Sequence, residues 1–285
     1  MPTTTEPLGE AQIRALADRY RISLEVSSAA GTIGSRAGRE TGASVEIQDF
    51  RDYVPGDDPR RIDWLAYGRT DRLVVRLFRE EVSPFFDVLV DTSESMVIPD
   101  GRKAALSREL CGWLYHSAHN EGIAVRLFSA GEDVRRVEEP GHMRFDQPES
   151  ALFAAPRRAS ASLRRASVRL LLSDFMDPAD PSSVLRPLAS GCTNLVVVHL
   201  LGPWEADPDT QGPAVLHCTE TDRKADINLN AKAVQRYRKR LEALTDTIRD
   251  ECYKCGGLYL RVVADRDLEQ VLKEDFLEAG LLETY

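Results

Sequence analysis

Long apolar runs are missing from this sequence of 285 residues. The longest, residues 194–201, has the length of a buried strand and falls far short of the roughly 20 residues that a membrane-spanning helix needs. The N-terminus has no basic segment followed by an apolar core, which a secretory signal would require. We therefore predict a cytoplasmic protein without a membrane span.

Positive charge and cysteine are also scarce. The 37 Lys and Arg residues are outnumbered by 46 Asp and Glu residues, and the net charge is −9. Such a chain has no overall field to attract phosphate, so a nucleic-acid partner is not expected. The five cysteines are an odd number, and a chain of this length does not depend on disulfides. Cys252 and Cys255 form a single Cys-x-x-Cys pair, which cannot close a tetrahedral zinc site.

Familiar catalytic motifs are missing as well. The five histidines show no metal-ligand spacing and define no Ser-His-Asp triad. The glycine-rich residues 31–38 fail the Gly-x4-Gly-Lys-Ser/Thr pattern of a phosphate-binding loop. We therefore expect no enzymatic activity, and any ATP chemistry would belong to a partner.

What is present is an alternation of apolar strands with amphipathic helices. We predict strands at 85–90, 123–129, 134–138, 168–173, 195–201 and 258–263, and helices at 102–119, 149–164, 181–190, 230–253 and 267–278. This order predicts an α/β domain over residues 84–285, with a mostly parallel sheet and helices on both faces. Residues 1–83 carry shorter elements and are expected to form an N-terminal α+β segment docked on that core.

Two of the predicted strands end in aspartate, one at Asp91 and one at Asp174. The carboxyl ends of parallel strands meet at one edge of a sheet, so both carboxylates are expected at a common crevice. Ser93 and Ser95 follow Asp91 and add two hydroxyls. Such an all-oxygen set suits Mg²⁺, Mn²⁺ or Ca²⁺ better than Zn²⁺. A metal-free alternative stays open, in which the aspartates bind loop amides and the serines form turns.

The spacing Asp91-x-Ser93-x-Ser95, together with Asp174, resembles the metal-ion-dependent adhesion site of von Willebrand factor type A domains. The resemblance implies a Rossmann-like fold of that family. It also implies direct binding of Mg²⁺ or Mn²⁺ by the two serines, with the two aspartates acting through water. The family's threonine ligand has no counterpart in residues 139–167. Its candidate substitutes are Ser150, Ser160 and Ser162, and the sequence selects none of them.

A second resemblance lies in residues 34–82, which resemble the signature of domain-of-unknown-function family 58. The matching residues are Glu46, Arg51, Tyr53, Pro55, Gly56, Asp57, Arg61, Ile62, Asp63, Trp64, Arg69 and Glu80 or Glu81. We expect Arg–carboxylate pairs to fix this segment, and Trp64 to bury against the sheet domain.

The family resemblance also implies a function. It points to a non-catalytic adaptor that works with a MoxR-type AAA+ ATPase and a client protein. The competing hypothesis is a metal-dependent hydrolase that uses the crevice of Asp91 and Asp174.

Overall fold

The computed structural model describes residues 7–23, 47–55, 57, 59, 62–78, 85–147, 150–208, 212–217 and 224–285. Its chain divides into two compact units. One consists of residues 35–83, and the other of residues 1–34 together with 84–285. The signature residues Glu46, Gly56, Arg61, Glu80 and Glu81 lie outside the described residues.

Helix α1 (Glu10–Arg19) and strand β1 (Tyr20–Ile22) belong to the same unit as the sheet. Helix α1 buries Leu16 and packs against α3 (Arg102–Asn120). Strand β1 pairs antiparallel with β12 (Leu282–Thr284). The structure therefore places α1 and β1 in the sheet unit. The predicted docking of residues 1–83 on the core as one segment stays a prediction.

The unit of residues 35–83 contains an antiparallel pair, β2 (Ile47–Asp52) and β3 (Val74–Phe78), with α2 (Trp64–Thr70) between them along the chain. Helix α2 begins after Asp63. The Asp63 carboxylate accepts hydrogen bonds from the backbone N–H groups of Leu65 and Ala66, both at 3.0 Å, and so caps the helix.

An expected Arg–carboxylate pair fixes the turn after β2. Arg51 donates two hydrogen bonds to Asp57, at 2.8 and 2.6 Å, and these bonds lower the pKa of Asp57. Trp64 contacts Tyr67 edge to face, with ring centroids 6.3 Å apart, and remains 60% exposed. The burial of Trp64 against the sheet domain stays a prediction.

The main sheet has six strands in the spatial order β11-β8-β7-β4-β5-β6. Their bounds are β4 (Phe85–Asp91), β5 (Ala124–Ala130), β6 (Val134–Val137), β7 (Val168–Ser173), β8 (Asn194–Leu201) and β11 (Leu258–Val263). All neighbours are parallel except β6, which runs antiparallel at the edge. The predicted α/β class with a mostly parallel sheet is confirmed, and the arrangement is compatible with a Rossmann-like fold.

Successive strand residues point to opposite sides of the sheet, so both faces carry apolar side chains. Helices cover both of these faces. The bounds of the remaining helices are α4 (Ala151–Ala154), α5 (Pro156–Ala161), α6 (Pro181–Ala189), α7 (Pro203–Ala206), α8 (Ala231–Lys254) and α9 (Leu268–Val271), which continues as a π-helical turn, Leu272–Leu277. Val88 packs in the core that contains Leu110 of α3, whereas Leu89 packs in the core that contains Leu185 of α6 and Ile248 of α8.

Several elements differ from the sequence prediction. The single helix expected at 149–164 is two short helices, because Pro156 starts a new one after Ala155. In addition to the predicted elements, the structure has α7 and an antiparallel hairpin of β9 (Gly212–His217) and β10 (Lys224–Leu229). Within the described part of the chain, no helix combines the length and apolar character needed to cross a bilayer.

Candidate functional site

Asp91 and Asp174 meet at the carboxyl edge of the sheet because β4 and β7 are neighbours in register. Val90 lies opposite Leu172, so the two strands end side by side. Both carboxylates are almost fully buried, each residue being 1% exposed. The Ser173 hydroxyl donates a hydrogen bond of 2.7 Å to Asp91 Oδ2 and ties the two strand ends together. The structure thus brings together the two aspartates that the sequence predicted at one crevice.

Ser93 and Ser95 join the same cluster. Ser93 donates to Asp91 Oδ1 from its backbone nitrogen at 3.0 Å and from its hydroxyl at 2.8 Å. The hydroxyl oxygens of Ser93 and Ser95 are 3.0 Å apart, and both residues are half-buried. Two adjacent ligands of an octahedral Mg²⁺, each about 2.1 Å from the ion, lie at roughly this separation. The two serine hydroxyls therefore have the separation that a hard cation would require.

Asp174 has a different partner. Lys103, in the first turn of α3, is buried, and its Nζ lies 2.7 Å from Asp174 Oδ2. The same Nζ lies 2.6 Å from Glu205 Oε1 of α7. The other oxygen of Asp174 accepts a hydrogen bond of 3.1 Å from the backbone nitrogen of Met176. Asp174 is thus already bound by a cation that belongs to the protein. Binding of a divalent cation by Asp91, Ser93, Ser95 and Asp174 stays a prediction.

The ionisation of the cluster follows from burial and from these charges. Burial and the nearby Asp174 raise the pKa of Asp91 to about 6, against the opposing hydrogen bonds from Ser173 and Ser93. Burial by itself would lower the pKa of Lys103, but Asp174 and Glu205 together raise it above the ordinary value. Burial raises the pKa of Glu205, and the nearby Lys103 ammonium only partly offsets this rise. The Lys103 ammonium therefore stays charged at neutral pH.

A buried histidine supports the loop that carries Asp174. His199 of β8 contacts the Asp174 backbone oxygen through Nε2 at 3.1 Å and the Tyr259 hydroxyl through Nδ1 at 2.8 Å. Burial lowers the pKa of His199 to about 4, so the ring is neutral at neutral pH. Both ring nitrogens are held by hydrogen bonds, which makes His199 a positioning residue for this loop.

The candidate substitutes for the missing threonine serve their own helices instead. Ser150 caps α4, accepts from Leu152 N at 3.4 Å and donates to the Ala130 backbone oxygen at 2.9 Å. Ser160 donates to the Arg157 backbone oxygen at 3.0 Å, and Ser162 ends α5. Across the residues that the structure describes, no group of three or more His, Cys, Asp or Glu side chains is arranged to hold a metal ion.

Sequence reasoning missed Lys103, Glu205 and Ser173. One signal was available for Lys103, because it lies three and seven residues before Leu106 and Leu110, on the apolar stripe of α3. A lysine on such a stripe needs a buried partner. Glu205 lies three residues after Gly202 and two after Pro203, in a segment that reads as loop, and carries no comparable signal.

A family model described as protein of unknown function DUF58 matches residues 49–247, well over half of the chain. The chain belongs to this family. The matched DUF58 region contains every residue of the cluster: Asp91, Ser93, Ser95, Lys103, Ser173, Asp174, His199 and Glu205. No curated protein matches this DUF58 chain.

Two solved structures show a weak likeness to the DUF58 chain. One is an aerotolerance-related membrane protein from Bacteroides fragilis NCTC 9343, with 12% identity, a TM-score of 0.31, and coverage of 68% of this chain and 99% of that one. The other is the pilus adhesin SpaC from Lactobacillus rhamnosus GG, with 15% identity, a TM-score of 0.31, and coverage of 62% and 31%. These TM-scores are too low to carry an argument.

Proposed function

We propose that this DUF58 protein is a non-catalytic protein-interaction module with a von Willebrand factor type A-like fold. Its proposed partner is a MoxR-type AAA+ ATPase, for which it acts as an adaptor that presents a client protein. Family membership and the mostly parallel sheet support this proposal. In open α/β sheets, ligands bind beyond the carboxyl ends of the strands, which is where the Asp91 cluster lies.

The observation that carries the proposal is that the two strand-end carboxylates are buried and that each of their four oxygens has a hydrogen-bond partner. Asp91 accepts hydrogen bonds at both oxygens, from Ser173 at one and from Ser93 at the other. Asp174 is bound at one oxygen by Lys103 and at the other by the backbone of Met176. A nucleophile or general base needs an oxygen that can reach a substrate or water. The carboxylates therefore support a structural role in a binding surface.

The loop after β4 offers the surface for such binding. Its residues 97–100 are exposed, and they include the apolar side chains of Val97, 37% exposed, and Ile98, 42% exposed. Glu94 is exposed next to them, and Ser93 and Ser95 are half-buried beneath. An apolar centre with a polar rim is the usual composition of a protein interface. We place the partner contact on this loop.

The alternative is a metal-dependent hydrolase that uses Asp91 and Asp174. It is favoured by the raised pKa of Asp91, which is a frequent property of catalytic acids. The alternative predicts turnover of phosphate ester or peptide substrates with Mg²⁺ or Mn²⁺ and loss of turnover in Asp91→Asn. The adaptor proposal predicts no such turnover by the wild-type chain.

Affinity capture with a purified MoxR-type ATPase of the same organism tests the adaptor proposal. Val97→Asp should weaken capture because it places a charge in the centre of the contact. Tyr253→Asp is the matched control. Tyr253 is 54% exposed near the end of α8 and precedes the amino end of β11, whereas Val97 follows the carboxyl end of β4. Failure of the wild-type chain to bind the ATPase, with and without nucleotide, would refute the proposal. Equal weakening by both variants would refute the placement on this loop.

A further inference from the structure

The Lys103 ammonium lies where the carboxyl ends of three strands converge. Lys103 comes from the helix that follows β4, Asp174 directly follows β7, and Glu205 lies in the short helix after β8. The two ion pairs, at 2.7 and 2.6 Å, are close enough for charge-assisted hydrogen bonds. We propose that Lys103 is a built-in cation that takes the place of the divalent ion expected at this sheet edge.

Geometry separates the cluster into two halves. In one half, Ser93 is hydrogen-bonded both to Asp91 and to Ser95. In the other half, Lys103 binds Asp174 and Glu205, and the Lys103 and Asp174 side chains are each 1% exposed. A metal site of the predicted composition needs Asp174 to face the ion. The Asp174 oxygen next to Lys103 instead faces a fixed ammonium, which would repel an incoming divalent cation.

The missing threonine fits the same inference. A divalent cation prefers about six oxygen ligands, and an ammonium is satisfied by three acceptors. Ser150 and Ser160 are engaged by their own helices. Compared with the adhesion-type site, this site lacks one hydroxyl ligand and contains one buried lysine. The lysine ammonium, which is part of the chain, therefore replaces the divalent ion that would otherwise bind from solution. The inference concerns only the ion and does not depend on which partner the surface binds.

Titration with Mn²⁺ tests the inference. Isothermal titration of the wild-type chain should show no saturable Mn²⁺ binding. Lys103→Met removes the charge and keeps the length of the side chain, so Asp174 and Glu205 become available and saturable Mn²⁺ binding should appear. Adding Asp174→Asn should abolish the gain. Lys254→Met is the control, because it removes an equally close ion pair with Glu251 through a lysine that is 66% exposed, and it should leave Mn²⁺ binding unchanged.

Two results would overturn the inference. One is saturable Mn²⁺ binding by the wild-type chain that Ser95→Ala or Asp174→Asn removes. The other is a folded Lys103→Met chain that gains no Mn²⁺ affinity. If Lys103→Met does not fold, thermal unfolding of the wild-type chain in Mn²⁺ and in a chelator decides. Equal melting temperatures support Lys103 as the cation, and a higher temperature in Mn²⁺ that Asp174→Asn abolishes refutes it.

Discussion

Replacing Lys103 by methionine should destabilise the sheet unit strongly. Lys103 and Asp174 have side chains only 1% exposed, and Glu205 has a side chain 14% exposed. Removing one partner of a buried ion pair typically costs about 3–5 kcal/mol, because the remaining charge is left without compensation. Here two carboxyl groups lose their cation in one substitution. Methionine is nearly as long as lysine, so loss of packing contributes little.

The melting temperature gives a direct measure of this cost. For a unit of this size, 1 kcal/mol shifts the melting temperature by about 2–4 °C, so Lys103→Met should lower it by about 6–20 °C. Circular dichroism at neutral pH would record the change in melting temperature. A chelator in the buffer prevents a divalent cation from replacing the lost lysine charge.

The control substitution, Lys254→Met, tests whether the effect of Lys103→Met depends on the burial of the lysine. Lys254 lies 2.7 Å from Glu251, the same distance as Lys103 from Asp174, but the Lys254 side chain is 66% exposed. Lys254→Met should therefore change the melting temperature little. Combining Lys103→Met with Asp174→Asn and Glu205→Gln should recover much of the loss, because no unpaired charge remains. A loss for Lys103→Met no larger than for Lys254→Met would refute the reasoning.

Three further predictions concern other parts of the chain. The pKa of His199 is depressed to about 4, so its contribution to stability is complete above pH 6.5 and is lost as pH falls to 4, by about 3 kcal/mol. The raised pKa of Asp91 acts in the opposite direction over the same range. The stability at pH 4 relative to pH 7, measured by urea titration, should therefore be higher in His199→Gln than in the wild type. Asp63→Ala should cost about 1 kcal/mol and speed amide exchange in α2. In Gly257→Ala, the new Cβ would lie 2.9 Å from the Leu195 backbone oxygen and should cost about 1–3 kcal/mol by thermal melting, whereas Gly141→Ala, with no described atom within 4 Å of its Cβ, should not.

The sheet and the pairing of its two strand-end aspartates could be predicted from the sequence because both follow from local patterns. Apolar runs of strand length alternate with amphipathic helices, and that order specifies a parallel sheet. The position of an aspartate directly after such a run fixes it at the carboxyl edge. The serines follow within the same loop, so their nearness to Asp91 needs no long-range information.

The partners that come from distant parts of the chain could not be predicted in this way. Lys103 and Glu205 are 102 residues apart, and their contact depends on how α3 and α7 are placed around β7. The hairpin of β9 and β10 and the pairing of β1 with β12 also join short segments with weak patterns. The break between α4 and α5 was readable from Pro156, since proline lacks the backbone donor that a continuing helix requires.

The tethered cation changes what kind of partner group the site should attract. An adhesion-type site with a bound metal offers an open coordination position to a partner carboxylate. Here Asp91, Asp174 and Glu205 outnumber Lys103, and the exposed Glu94 adds another negative charge at the rim. If the adaptor proposal holds, this edge should favour basic groups on the partner. Glu94→Lys should then weaken capture of the partner more than Glu94→Gln, and the difference should shrink at high salt. Stronger capture by Glu94→Lys would instead indicate an acidic partner group and refute the expected charge complementarity.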